Sequence, residues 1–155
     1  MQKEFIKTLS NLAQLDIDAV HAYEQAIERI DYAPIRDELR KFQMDHQRHV
    51  RELSALIKQH GEKPPEFSRD FKGFLIEGFT ALRSITGTEG ALKAMQSNEE
   101  TTTKHYSEAL DSDLPLEARA LVERNYGDER RHLNYVKGAL ASRRWEQAST
   151  AHAAH

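Results

Sequence analysis

Apolar residues recur along this chain at steps of three and four, and strand-like alternation is absent, so the pattern is helical throughout. Phe5, Leu9, Leu12, Asp16, Ala19, Tyr23, Ala26 and Ile30 form a first stripe. It ends near Asp31-Tyr32-Ala33-Pro34, where the proline can open the next helix. Ile35, Leu39, Phe42, His46, His49, Leu53 and Leu56 form a second, stopped by Gly61-Glu62-Lys63-Pro64-Pro65. Leu92, Met95, Glu99, Thr102, Tyr106 and Ala109 form a third, ending at Asp111-Ser112-Asp113-Leu114-Pro115. Ala118, Val122, Asn125, Glu129, His132, Val136 and Ala139 form the fourth. The two short loops imply two antiparallel hairpins. Between them, Phe71, Phe74, Leu75, Phe79 and Leu82 suggest a short amphipathic helix that carries the chain from one end of a bundle to the other. The expected fold is all-α: an antiparallel four-helix bundle of two hairpins, with a long crossover between helices 2 and 3, over residues 1–144. Residues 145–155 are expected to form a tail that is frayed or packed outside the bundle, with His152 and His155 solvated.

The stripes are interrupted by Asp16, His46, His49, Glu99, Glu129 and His132, each on the core-facing register of its helix. An unpaired buried carboxylate costs several kcal/mol, so such groups need partners or a metal. Counted from the hairpin loops at 1.5 Å per residue, all six fall in one layer roughly 20–25 Å from those loops. The two halves also repeat. Asp45-His46-Gln47-Arg48-His49 matches Asp128-Glu129-Arg130-Arg131-His132 at the aspartate, arginine and final histidine. Asp16 and Tyr23 stand seven apart, as do Glu99 and Tyr106. Two copies of one charged pattern suggest two helix pairs offering ligands to one centre.

Composition narrows the chemistry. There is no cysteine, so any metal must be held by nitrogen and oxygen, and disulfides, thiolate zinc and iron–sulfur clusters are excluded. A net charge of −3 gives no basic footprint for nucleic acid and no pull towards anionic lipid. No apolar run approaches the length of a membrane span. The N-terminal residues lack a signal-peptide core, so a cytoplasmic location is expected. Gly87-Thr88-Glu89-Gly90 is a helix start, not a phosphate cradle, and no nucleophile with an adjacent base stands out. Asp18 rivals Asp16 if the first stripe is rotated, and Glu100 stands next to Glu99. Read blandly, His46 is a hydrogen-bonded core histidine. His21 and His105 lie off the stripes as surface residues, and His60 sits at a helix end in a capping position.

These residues resemble the ferritin-like di-iron carboxylate superfamily, specifically its small rubrerythrin-like bacterial members. That pattern is a carboxylate from each of two helices and Glu-x-x-His from each of the other two. Glu129 and His132 supply it in the fourth helix, within Asp-Glu-x-Arg-His. Glu99 with Tyr106, and Asp16 with Tyr23, supply the carboxylate helices. The resemblance covers roughly residues 5–58 and 88–140. It implies Asp16 and Glu99 as terminal ligands, Glu129 as a shared one, and nitrogen from His46, His49 and His132. It implies that Asp45 orients His132 and Asp128 orients His49, with Arg48 and Arg131 pairing with those aspartates from outside. Tyr23 and Tyr106 would hydrogen-bond the terminal carboxylates or supply an oxidisable ring.

One position departs from the pattern: His46 stands where the family places a bridging glutamate. Two divalent ions against three carboxylates then leave one excess positive charge, which a hydroxide bridge or a single-ion site would remove. The resemblance implies a cofactor of iron, as two ions, or manganese, in an oxidoreductase or ferroxidase reacting with dioxygen or peroxide. Without rubredoxin-type cysteines, electrons would come from a separate donor or from substrate iron. The alternative is a non-catalytic bundle stabilised by zinc or a single ion, and a third is a metal-free interaction module. Cage assembly is not expected. An exposed apolar stripe on the crossover or tail would favour a homodimer.

Overall fold

The computed structural model describes residues 2–67 and 87–146. Within them the chain forms four long helices: α1 (Gln2–Glu28), α2 (Ala33–Gln59), α3 (Gly87–Leu110) and α4 (Leu116–Ser142). No strand occurs among the described residues, and no helix among them is long and apolar enough to cross a membrane. The amphipathic helix expected around Phe71–Leu82 lies outside the described residues.

Local sequence sets the helix ends. Tyr32 is extended, and Pro34 follows within the first turn of α2, where its missing N–H is no loss. At the other end of α2, Gly61 takes φ +80°, a left-handed conformation that a side chain would strain. There the Gly61 N–H donates to the Lys58 carbonyl at 2.9 Å and the Glu62 N–H to that of Ile57 at 3.2 Å, closing the final turn. The α3–α4 loop is tied by the Arg119 guanidinium, which donates to the carbonyls of Leu110 and Ser112, both at 2.8 Å. At the end of α4, Arg143 turns left-handed (φ 49°) and reaches Glu89 of α3, while the Trp145 ring packs against the core. The first residues beyond Ser142 are therefore packed on the bundle.

α1 packs along α2, and α3 along α4, as two hairpins. They meet mainly through α1 and α3, and more sparsely through α2 and α4. The start of α1 (Phe5, Leu9) shares one apolar cluster with the end of α2 (Leu53, Ile57), the end of α3 (Ala109) and the start of α4 (Val122). A second cluster joins Ala26, Leu39, Leu92, Met95 and Val136 from the opposite helix ends. Thus α1 runs antiparallel to α3, and the end of α2 and the start of α3 lie at opposite ends of the bundle. Between the two clusters lies the polar layer.

Candidate metal centre

Asp16 on α1, His46 and His49 on α2, Glu99 on α3, and Glu129 and His132 on α4 converge in that layer, and all six are fully buried. The helical period puts them there. Each occupies a position on the buried stripe of its helix. The six fall into two groups. Asp16, His46, His49 and Glu129 bring one donor atom each within 4.8 Å of one another, and so do His46, Glu99, Glu129 and His132. His46 and Glu129 belong to both groups. The structure brings all six sequence-predicted side chains together, whereas their neighbours Asp18 and Glu100 lie outside both groups. Asp18 is also buried, but it accepts a 3.0 Å bond from Gln14 within α1, and Glu100 is exposed.

The contacts repeat across an approximate two-fold. His49 Nδ1 faces Asp16 Oδ1 at 3.1 Å and Glu129 Oε1 at 3.2 Å. His132 Nδ1 faces Glu99 Oε1 at 3.3 Å and Glu129 Oε2 at 3.8 Å. Each of these rings spends its other nitrogen on an outer carboxylate across the bundle: His49 Nε2 on Asp128 at 2.9 Å, and His132 Nε2 on Asp45 at 2.8 Å. This is the usual way a protein orients a ligating imidazole. Arg131 donates to Asp45 at 2.7 Å and to Asp128 at 3.3 Å. Arg48 donates to Asp45 at 3.3 Å and also to Asp128. The Tyr23 hydroxyl donates to Glu99, and that of Tyr106 to Asp16 at 2.5 Å. The aspartate–histidine and arginine–aspartate contacts are those the resemblance implies, and the structure pairs Tyr23 with Glu99 and Tyr106 with Asp16.

Thr102 was read from sequence only as a stripe member. Its hydroxyl lies 3.2 Å from both Glu99 Oε2 and Glu129 Oε2, linking the two carboxylates. Asn125, another stripe residue, places its amide 3.5 Å from the Tyr106 hydroxyl. Polar residues on a buried stripe were the available signal, but neither carries the charge that marks a ligand. His21 and His105 are half-buried rather than fully solvated, with His21 tilted against Phe67, while His60 closes α2 and meets Phe5 edge-on.

The facing charges set the electrostatics of the cage. Burial disfavours charge on every member, and the facing charges overcome it for most. His49 is pushed up to about 11, against burial, by the Asp16 charge and its bond to Asp128. His132 is pushed up to about 10, against burial, by the carboxylates of Asp45, Glu129 and Glu99. His46 is raised well above the ordinary histidine value by Glu129 and Glu99. Despite burial, Asp16 is held down at about 2 by His49 and His46, and Glu99 is depressed by His46 and His132. Glu129 is raised, by burial first.

Two atoms show that hydrogen bonding does not complete the cage. Glu129 Oε1 and His132 Nδ1 are buried without a partner in hydrogen-bonding geometry. An orphaned buried acceptor and an orphaned buried ring nitrogen are a poor internal network and a good donor set. The residues therefore fit a metal: three carboxylates and three imidazoles, with outer carboxylates already holding two of the rings.

The family model described as Domain of unknown function (DUF2383) matches residues 4–112. The chain belongs to this family. It is a family of ferritin-like fold, in agreement with the four-helix bundle. The DUF2383 match spans α1, α2 and α3, and with them Asp16, His46, His49 and Glu99. Glu129 and His132 lie beyond the matched segment, so the α4 half of the cage rests on the structure. No curated protein and no solved structure matches the chain.

Proposed function

We propose that this protein binds two divalent transition-metal ions in the bundle core, and that with iron or manganese bound it acts as an oxidoreductase or ferroxidase towards dioxygen or peroxide. The observation that carries the reading is the pair of overlapping four-donor groups that share His46 and Glu129. One ion would be held by Asp16 and His49, the other by Glu99 and His132, with Glu129 offering one oxygen to each side. A redox metal there supplies electron transfer to an oxygen substrate, which histidine and carboxylate ligands with open positions suit. The chain's own residues do the rest. Asp45 and Asp128 fix the His132 and His49 rings. Tyr23 and Tyr106 hold Glu99 and Asp16 by hydrogen bonds. The apolar clusters above and below exclude bulk water from the layer. With no cysteine to carry electrons, reduction comes from a separate donor or from substrate iron.

A second reading is a non-catalytic bundle stabilised by zinc. It is favoured by His46, because a third imidazole in place of a bridging carboxylate suits zinc as well as iron. Metal analysis of protein purified without chelators, combined with oxygen uptake, tests both. About two irons or manganese per chain with oxygen or peroxide consumption supports the first reading, whereas zinc with no uptake supports the second. Protein that takes up no ion, and whose melting temperature is the same with and without added metal, refutes both.

A further inference from the structure

The three histidines of the cage are not equivalent. His49 and His132 each have one nitrogen facing inward and one bound to an outer aspartate. His46 has no outer partner. Its Nδ1 faces Asp16 Oδ1 at 2.7 Å, and its Nε2 faces Glu99 Oε1 at 3.0 Å. These carboxylates sit on different helices, α1 and α3, and belong to different four-donor groups. The ring is fixed in that attitude by Tyr23, tilted against it at 5.3 Å between centroids, and by the rings of His132 and His49 at 5.1 and 5.6 Å. One side chain thus presents one nitrogen to each half of the cage.

We propose that His46 bridges the two bound ions as an imidazolate, with Nδ1 on the ion shared with Asp16 and His49 and Nε2 on the ion shared with Glu99 and His132. This deepens the reading of the layer as a two-ion site and rests on it. Two nitrogen–metal bonds form, the ring's two N–H protons leave to water, and nothing is oxidised or reduced. Charge supports the assignment. Asp16, Glu99 and Glu129 leave two divalent ions one positive charge in excess, and an imidazolate removes it without an added hydroxide. Asp45 and Asp128 already balance Arg48 and Arg131 outside. The six donors are buried, where a residual charge is costly.

The consequence is spacing. With metal–nitrogen bonds of about 2.0–2.1 Å on either side of the ring, the ions stand roughly 6 Å apart. Two-metal sites that clamp a single substrate oxygen hold their ions about 3.5–4 Å apart. Ions at the wider spacing cannot share a one-atom bridge, so each acts separately on what binds it.

Crystals of the full chain loaded with cobalt(II), and separately with zinc(II), test this by anomalous scattering at each metal's edge. Two peaks roughly 6 Å apart, each within bonding distance of a different His46 nitrogen, are expected. Two peaks at about 3.5–4 Å with His46 on one ion or neither, or a single peak, overturn the bridge while leaving ion binding intact. No peak among the six donors overturns the ion-binding reading and the bridge together. In His46→Glu, checked for helicity before crystallisation, both ions are expected to remain and to draw together to about 3.5–4 Å. An unchanged separation overturns the proposal. Should that variant fail to fold, the wild-type measurement decides alone.

Discussion

Replacing Asp128 with asparagine should weaken one half of the proposed metal centre and spare the other. Asp128 Oδ2 lies 2.9 Å from His49 Nε2 and is the only outer carboxylate that His49 touches among the described residues. His132 depends on Asp45 instead, at 2.8 Å. Losing an outer carboxylate behind a ligating histidine typically lowers metal affinity about 10–100-fold. Three features place this case near the lower figure. Asparagine keeps the shape and an acceptor oxygen. The Asp128 side chain is 18% exposed, so water replaces part of what the charge supplied. Loss of the charge also lets the His49 pKa fall, easing competition from protons. A tenfold loss is about 1.4 kcal/mol. Asp45→Asn should do the same to the His132 half. With one equivalent of cobalt, anomalous occupancy should therefore shift towards the Glu99–His132 side in D128N and towards the Asp16–His49 side in D45N. The occupancy ratios of the two variants should differ by roughly 100-fold, one factor of ten from each. Equal ratios in the two folded variants would falsify the pairing of each aspartate with its own half-site.

Stability should depend on pH in opposite senses with and without metal. In the chelated protein, His49 and His132 are raised to about 11 and about 10, so their contribution is full below the ordinary 6.5 and lost as pH rises through 10–11. Asp16, lowered to about 2, contributes above 3.8 and loses its contribution as pH falls through 2. The chelated melting temperature should peak between about pH 4 and 6.5, whereas the metal-loaded protein should gain stability from pH 6 to 8 as bound ions displace protons. Parallel curves would count against proton–metal competition. Tyr106→Phe removes the hydroxyl that donates to Asp16 at 2.5 Å and leaves that buried carboxylate short of a partner. Chelated protein should lose about 1–3 kcal/mol in urea denaturation, and a loss below 0.5 would show that the bond contributes little. Leu53→Ala, at a fully buried position in the cluster on one side of the polar layer, should cost about 2–5 kcal/mol by the same assay. It should leave the metal stoichiometry unchanged, and a loss of metal would mean that the apolar cluster sets the ligand geometry.

Much of this was already in the linear order of residues. The stripes end where the helices end because proline at 34 and glycine at 61 act on the backbone locally. The six inward polar residues were legible because a 3.6-residue period puts every third or fourth side chain on one face, and charged groups there conflict with burial. Even the cross-bundle pairs Asp45–His132 and Asp128–His49 were implied by the family resemblance. What sequence periodicity could not decide was anything that depends on rotation within a helix or distance between helices. Asp16 and Asp18 stand two residues apart and are equally buried, yet only packing against α2 and α3 turns one towards His46 and leaves the other to Gln14. Thr102 became a link between two carboxylates only because α3 and α4 approach at that level. The position of His46 between Asp16 and Glu99 is likewise a tertiary fact. A spacing along one helix fixes which face a ring leaves from, whereas the groups its two nitrogens meet are set by two other helices, α1 and α3.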